Sequence, residues 1–176
     1  MLKRFYPGTY LDSAYDIDYE ALYQEGYRGI IFDIDNTLVP HGAKADERAK
    51  GLFLRLANMG FSCCLLSNNK EARVKSFNDD IKTEYIHDAH KPSVRNYQKA
   101  MERMGTDQSN TIFVGDQIFT DVYGANRANI RTFLVKPIHP KEEIQIVLKR
   151  YLEKIVLAFY KRDLKRGKNH ENSNRQ

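Results

Sequence analysis

The stretch RGIIFDIDNTLVP, residues 28–40, changes abruptly from apolar to polar side chains. Ile30, Ile31 and Phe32 follow one another without a polar residue, which is typical of a strand buried on both faces of a parallel sheet. Asp33 and Asp35 come directly after this run. Two carboxylates at the end of a strand indicate either a polar turn or a chemical site, and the rest of the chain has to distinguish these alternatives.

Apolar runs alternate with helical patterns along the remainder of the chain. Four more strands are predicted in FSCCLLS (61–67), EYIHDA (84–89), NTIFVGD (110–116) and IRTFLV (130–135). Amphipathic segments between them predict helices, and this alternation predicts an α/β fold with a parallel sheet flanked by helices. In such a sheet the ligand crevice lies at the carboxyl ends of the strands.

The totals are those of an ordinary globular protein. The 176 residues are 41% hydrophobic and 29% charged, which predicts a single domain over residues 1–160. The net charge of +5 is concentrated at the end, because residues 149–176 contain nine Lys/Arg and three Asp/Glu. We therefore predict a basic, polar and disordered tail over residues 161–176.

The composition favours a reducing compartment and excludes a membrane-spanning segment. Cys63 and Cys64 are adjacent on a predicted strand and so point to opposite faces, which makes a disulfide between them unfavourable. No apolar run approaches the roughly 20 residues that a spanning helix needs. The basic start MLKRFYPGTY has no apolar stretch after it, so a secretory signal is not predicted and a cytoplasmic location is expected.

Polar residues cluster where the predicted strands end. In chain order these residues are Asp33, Asp35, Ser67, Asn68, Lys91 and Asp116. If the sheet is parallel, three carboxylates meet one lysine and one hydroxyl at one edge. Buried like charges repel unless a cation lies among them, and hard oxygen ligands suit Mg²⁺. Mg²⁺ beside a lysine and a hydroxyl would form a site for a phosphoryl group.

The order of the motifs resembles that of a known family. FDIDNTL, LLSNN, KP and VGDQIFTD are similar to the four ordered motifs of the haloacid dehalogenase (HAD) superfamily of phosphohydrolases. YPGTYLDSAYDID and GDQIFTDVYGAN further resemble its YqeG-like branch, relatives of the mitochondrial and plastid phosphatidylglycerophosphate phosphatases. The resemblance implies a HAD-like Rossmannoid fold and phosphatase activity.

The resemblance also implies roles for the aspartates. Asp33 would be the nucleophile that forms an aspartyl-phosphate. Asp35 would protonate the leaving oxygen and then deprotonate the attacking water. Asp33, Asp116 and the backbone carbonyl of Asp35 would hold Mg²⁺.

The remaining motif residues would position the phosphate. By the same resemblance Ser67 and Asn68 would bind the phosphoryl group, and Lys91 would neutralise charge on it and on Asp33. Thr37 would stabilise the turn after the nucleophile. Asp121 would orient metal-bound water or Lys91 by hydrogen bonding, without binding the metal itself.

The connections after the first and third strands are too short for an inserted cap domain. Residues 39–46 and the few residues before Lys91 leave no room for one, so a capless enzyme with an open site is predicted. An open site suits a lipid headgroup phosphate such as that of phosphatidylglycerophosphate. A phosphatase of small metabolites or nucleotides, a phosphoprotein phosphatase, and a nucleic-acid-binding module with a vestigial site remain alternatives.

Two further segments have structural interpretations. The earlier pair Asp16 and Asp18 lacks a preceding apolar strand and is predicted to begin a helix. The C-terminal helix has an apolar stripe that is expected to pack on the sheet, formed by Ile144, Val147, Leu148, Tyr151, Leu152, Ile155 and Phe159. Its basic end allows peripheral contact with an anionic membrane surface, whereas nucleic acid is a less favoured partner. The sequence leaves the oligomeric state open.

Overall fold

Six strands form one parallel sheet. The computed structural model describes residues 2–139 and 144–173, with the side chains of residues 2–139 and 151–166. The strands are β1 (Thr9–Leu11), β2 (Gly29–Phe32), β3 (Ser62–Leu66), β4 (Glu84–Ile86), β5 (Thr111–Gly115) and β6 (Arg131–Val135). Their order across the sheet is β1-β6-β5-β2-β3-β4, and every pairing is parallel. The predicted parallel sheet is thus confirmed, with β1 as an additional edge strand.

Helices cover both faces of this sheet. They are α1 (Tyr19–Gln24), α2 (Glu47–Met59), α3 (Glu71–Ile81), α4 (Val94–Met104), α5 (Tyr123–Arg127) and α6 (Ile144–Ser173). Leu56 of α2 and Phe77 of α3 pack in one cluster with Phe32, whereas Tyr97 of α4 packs in a second cluster with Ile31. Because neighbouring residues of β2 enter different cores, the strand is apolar throughout, as its sequence indicated.

The earlier pair of aspartates has the structural role that the sequence predicted. The side chain of Asp18 caps α1, and its Oδ1 accepts a hydrogen bond of 2.9 Å from the backbone N–H of Ala21. Asp16 ends a short 3₁₀ turn that precedes this cap and is exposed.

The two cysteines occupy opposite faces of β3, as expected for neighbours on a strand. Cys63 belongs to the cluster around Phe32 and Cys64 to the cluster around Ile31. Both are free and buried. Burial raises the pKa of each thiol to about 12, which keeps both thiols protonated and unreactive.

The length of α6 differs from the prediction. The helix runs from Ile144 to Ser173, so residues 161–173, which were predicted to be disordered, continue it. Lys and Arg are good helix formers and need no packing on an exposed side, so a basic composition is compatible with this extension. Residues 174–176 of the predicted tail lie outside the described residues. None of the helices in the described part of the chain has the length and apolar composition needed to cross a membrane.

The prediction that the apolar stripe of α6 packs on the sheet is wrong for three of its residues. Tyr151, Leu152 and Ile155 are 63%, 53% and 54% exposed, whereas Val156 and Tyr160 on the opposite side are buried. The other members of the stripe are Phe159, which is half-buried, and three residues whose side chains lie outside the described part, Ile144, Val147 and Leu148. Helical spacing identifies an apolar face but does not show which surface covers it.

The fold is capless over residues 2–139. Eleven residues, 36–46, separate Asp35 from the start of α2, and four residues, 87–90, separate the end of β4 from Lys91. Neither connection contains a domain, so the carboxyl edge of the sheet stays open as predicted.

Candidate active site

The register of the three central strands brings the motif residues to one edge. Phe32 of β2 pairs with Leu65 of β3 and with Val114 of β5. Asp33 therefore leaves the sheet beside the ends of both neighbours, where Ser67 and Asp116 follow. These polar residues are all buried, so the edge forms a compact polar site rather than a set of solvated turns.

Lys91 connects two of the carboxylates. Its Nζ lies 2.6 Å from Oδ1 of Asp33 and 2.7 Å from Oδ1 of Asp121. The connection after β4 delivers this lysine, and Asn68 fixes its backbone: Asn68 Oδ1 accepts from the N–H of Lys91 at 2.7 Å, and Asn68 Nδ2 lies 3.3 Å from its carbonyl oxygen. The Lys91–Pro92 peptide bond is cis. The phosphate-binding role of Asn68 stays a prediction.

Asp121 is held by the backbone as well as by the lysine. Its Oδ2 accepts hydrogen bonds from the N–H groups of Asp116 (3.2 Å) and Gln117 (3.0 Å). It lies on the π-helical turn Ile118–Val122 that follows β5. A Cβ atom on Gly115 would lie 2.5 Å from Asp121 Oδ2, so the glycine at the end of β5 leaves room for this carboxylate.

The cluster concentrates negative charge. Burial raises the pKa of Asp33 to about 6; attraction to Lys91 opposes the rise and repulsion from Asp121 adds to it. For Lys91, burial lowers the pKa, but the carboxylates of Asp121 and Asp33 outweigh burial and hold the pKa above its ordinary value. The lysine is therefore permanently charged, yet its single charge faces several carboxylates.

The same cluster fits a divalent cation. One carboxylate oxygen from each of Asp33, Asp116 and Asp121 lies within 4.8 Å of the others. Asp121 Oδ2 accepts from two backbone N–H groups, whereas Asp33 Oδ2 and Asp116 Oδ1 face only the weakly placed Thr37 hydroxyl among the bonds described for this site. Asp33 and Asp116 are therefore the side chains best placed to hold a metal. Hard oxygen donors of this kind suit Mg²⁺ and similar cations.

Thr37 lies between these two carboxylates. Its hydroxyl oxygen is 3.2 Å from Oδ2 of Asp33 and 3.4 Å from Oδ1 of Asp116. The turn that carries it is closed by the carbonyl oxygen of Ile34, which accepts from the N–H groups of Thr37 and Leu38. The threonine thus ties the turn to the carboxylate pair.

The side chain of Asp35 points to a different set of partners. Its oxygens accept from the N–H of Gly42 (2.7 Å), from Nδ2 of Asn69 (2.7 Å) and from Nη2 of Arg73 (2.8 Å). His41 Nδ1 lies 3.8 Å away. These partners hold the Asp35 carboxylate, and the role of its backbone carbonyl as a metal ligand stays a prediction of the resemblance.

Sequence reasoning missed Asn69 and Arg73. Arg73 lies in the first turn of α3, directly after the motif that ends β3, and a basic residue at that place was the available signal. Its Nη1 is buried and has no hydrogen-bond partner in the part of the chain that the structure describes. Ser67 is also buried, and its hydroxyl oxygen accepts from the N–H of Asn69.

Comparisons with known proteins agree with this geometry. The profile of the HAD-hydrolase-like family matches residues 89–143. The probable phosphatase YqeG of Bacillus subtilis is 32% identical over 164 residues, which cover 92% of this chain and 95% of that protein. Phosphatidylglycerophosphate phosphatase 1, chloroplastic/mitochondrial, of Arabidopsis thaliana is 29% identical over 167 residues, which cover 86% of this chain but only 46% of that protein.

A solved structure supports the fold assignment. The putative 3-deoxy-D-manno-octulosonate 8-phosphate phosphatase from Vibrio cholerae superimposes with a TM-score of 0.52 at 12% identity, over 68% of this chain and 73% of that one. At this identity the likeness concerns the fold alone. The YqeG match, which extends over nearly the whole of both chains, goes further: the protein belongs to the HAD superfamily, as a phosphatase of the YqeG-like branch.

Proposed function

We propose that the protein hydrolyses phosphomonoesters with Mg²⁺ through an aspartyl-phosphate on Asp33. The observation that carries this proposal is the buried contact of 2.6 Å between Asp33 and Lys91, at the edge that Asp116 shares. In the first step an oxygen of Asp33 forms a bond to phosphorus while the bond from phosphorus to the ester oxygen breaks. Covalent catalysis of this kind divides one difficult hydrolysis into two easier steps.

Asp35 acts as the general acid in the first step and as the general base in the second. It gives a proton to the departing ester oxygen and later takes one from the water that attacks phosphorus. That attack breaks the bond to Asp33 and releases inorganic phosphate. Asn69 and Arg73 hold the carboxylate of Asp35 by hydrogen bonds of 2.7 and 2.8 Å, so they orient it for this role.

Positive charge and positioning supply most of the catalysis of phosphoryl transfer. Lys91 neutralises charge on Asp33 and on the transferred group, and the Ser67 hydroxyl is available to a phosphoryl oxygen. Mg²⁺ held by Asp33, Asp116 and the Asp35 backbone carbonyl would add positive charge at the phosphoryl oxygens.

The preferred substrate class is a phosphomonoester on a lipid headgroup, with phosphatidylglycerophosphate as the leading case. The capless edge over residues 2–139 supports this choice, because a large or surface-bound substrate needs open access. The name of the Arabidopsis relative also supports it, although this chain spans only 46% of that protein.

Replacing the nucleophile tests the mechanism. Asp33→Asn should lower Mg²⁺-dependent phosphatase activity by more than roughly a thousandfold, because the amide cannot form the acyl-phosphate. Asp16→Asn is the matched control, since Asp16 belongs to the other Asp-Ile-Asp stretch and is exposed. Circular dichroism should show both variants folded, and retained activity in Asp33→Asn would refute the mechanism.

A substrate panel tests the lipid assignment. Turnover of phosphatidylglycerophosphate in detergent mixed micelles is compared with turnover of soluble sugar, nucleotide and amino-acid phosphomonoesters. We expect kcat/KM for the lipid to exceed the average of the panel. A lipid value at or below that average would favour the phosphatase of small metabolites instead.

A further inference from the structure

The middle part of the last helix, α6, exposes an apolar surface. Side chains are described for residues 151–166 of α6, and Tyr151, Leu152 and Ile155 in this segment are more than half exposed. The buried residues Val156 and Tyr160 lie on the other side of the helix. Four of the large apolar residues that the described part of the chain leaves exposed belong to α6, the fourth being Leu164.

Three of these four residues, all except Leu164, share one stripe with Phe159 and two arginines. At 3.6 residues per turn, the stripe spans an arc of about 100° of the helix, and its Leu152 edge borders the buried side. We call this stripe the outer face; its members are Tyr151, Leu152, Ile155, Phe159, Arg162 and Arg166. The Arg162 guanidinium carbon lies 4.6 Å from the centroid of the Phe159 ring, so the cation and the apolar surface are in contact.

The acidic residues of this segment turn towards the body of the protein. Glu153 is buried, and its carboxylate accepts from the N–H of Ile118 at 2.7 Å. Asp163 accepts from the hydroxyl of Tyr6 at 3.1 Å and lies 3.5 Å from Arg162.

The acidic residues of the segment are buried or half-buried, whereas all its basic residues are exposed. These basic residues are Lys154, Lys161, Arg162, Lys165 and Arg166. Since the acidic side chains are directed inwards, the solvent side of the helix over residues 151–166 combines apolar side chains with an excess of positive charge. This combination is typical of a helix that lies in the interface of an anionic bilayer.

The helix borders the catalytic edge of the sheet. The bond from Ile118 to Glu153 joins α6 to the turn that follows Asp116. A cavity of about 170 Å³ beside this contact is lined by Asp116 on one side and by Lys154 and Leu157 of α6 on the other. A partner that binds to α6 from outside would therefore lie close to the candidate active site.

We propose that the outer face of α6 docks on the surface of an anionic lipid bilayer. Its apolar side chains enter the headgroup region and its cations pair with lipid phosphates, each contributing on the order of 1 kcal/mol near such a surface. If the outer face instead packed in parallel against the outer face of a second copy, Arg162 and Arg166 of one copy would lie against the same two arginines of the other. Such like charges repel, which favours the anionic bilayer as the occupant. The inference rests on the proposed function, because it supplies the lipid substrate to the open site.

Vesicle binding tests the docking directly. The full chain is sedimented with vesicles of phosphatidylcholine alone and with vesicles that also contain phosphatidylglycerol, in the absence of any phosphomonoester substrate. Binding should require the anionic lipid and weaken at high salt. The paired variants Leu152→Ser/Ile155→Ser and Arg162→Glu/Arg166→Glu should each bind at least about tenfold more weakly.

Matched controls separate the outer face from general surface effects. Leu54→Ser removes an apolar side chain of α2 that is 65% exposed, and Lys75→Glu/Lys99→Glu reverses two exposed lysines of α3 and α4. These variants should bind like the unaltered protein. Hydrolysis of p-nitrophenyl phosphate should be unchanged in every one of these variants, since none of the altered residues belongs to the site.

Three results would overturn the docking proposal. They are failure of the unaltered chain to bind anionic vesicles, equal binding by the outer-face and control variants, and light scattering that shows a dimer broken by the outer-face variants while vesicle binding persists. Failure of the unaltered protein to bind anionic vesicles, with intact turnover of micellar lipid phosphate, would refute this inference alone. Intact docking with no such turnover would refute the lipid substrate alone.

Discussion

Replacing Asp116 by asparagine should stabilise the metal-free protein and abolish its response to metal. Asp116 is 2% exposed, and one of its oxygens lies within 4.8 Å of oxygens of Asp33 and Asp121. Asparagine preserves the size of the side chain and one oxygen near Thr37, but it removes the negative charge. The clustered carboxylates are thus expected to lower the stability of the metal-free protein while serving its function, as charged groups in active sites often do.

Coulomb's law gives the size of the effect. Two unit charges 4.8 Å apart repel by about 3.5 kcal/mol at an effective dielectric constant of about 20. The substitution removes repulsion from Asp33 and from Asp121, and it also removes attraction to the charged Lys91, which offsets roughly one of the two repulsions. One repulsion of about 3.5 kcal/mol then remains, and part of it is offset because the neutral amide accepts weaker hydrogen bonds than the carboxylate; we therefore expect the free energy of unfolding of the metal-free protein to rise by about 1–3 kcal/mol.

Thermal unfolding measures this change. The experiment is done in EDTA and in excess Mg²⁺, at a pH well above the pKa of Asp33, which is about 6. In EDTA the variant should have a Tm about 3–10 °C above that of the unaltered protein. Mg²⁺ should raise the Tm of the unaltered protein but not of the variant, because only the former binds it tightly.

An exposed carboxylate provides the control. Asp79→Asn changes the same functional group on the surface of α3 and should alter stability by less than about 0.5 kcal/mol. A lower Tm for Asp116→Asn in EDTA, with Asp79→Asn unchanged, would refute the view that the cluster is dominated by repulsion. An equal Mg²⁺ response in both variants would refute the assignment of Asp116 as a metal ligand.

Three other substitutions or treatments have defined outcomes. Gly115→Ala should destabilise by about 1–3 kcal/mol in urea unfolding, because Asp121 Oδ2 would lie 2.5 Å from the new Cβ; Gly51→Ala, which meets nothing within 4 Å, should not. Arg73→Ala should lower kcat/KM about tenfold for an alkyl phosphate but much less for p-nitrophenyl phosphate, whose good leaving group needs little help from the acid Asp35; equal losses would contradict an orienting role. Burial raises the pKa of the two β3 cysteines to about 12, so iodoacetamide should label them only after unfolding; stability should also fall as pH rises from about 9 towards 12, since the unfolded thiols ionise first.

Local sequence patterns were sufficient to predict most of the fold and to identify the motif residues. Apolar runs that end in polar residues predicted five of the six strands, and Asp18 predicted the start of α1. β1 was missed because three partly buried residues are too few to show a period. Arg73 was missed because its importance depends on a contact with Asp35, 38 positions earlier in the chain.

The sequence by itself indicated which residues are candidates for chemistry. Asp33 and Asp35 follow one predicted strand and the later motifs follow others, and a parallel sheet brings the ends of these strands to the same edge. Tertiary structure decided how these residues are paired: Lys91 with Asp33 and Asp121, and Asp35 with Asn69 and Arg73. It also decided which side of α6 is buried, against the prediction from its apolar stripe. The physical reason is the same in both cases: periodicity is a property of one segment, whereas pairing and burial depend on what another segment places opposite it.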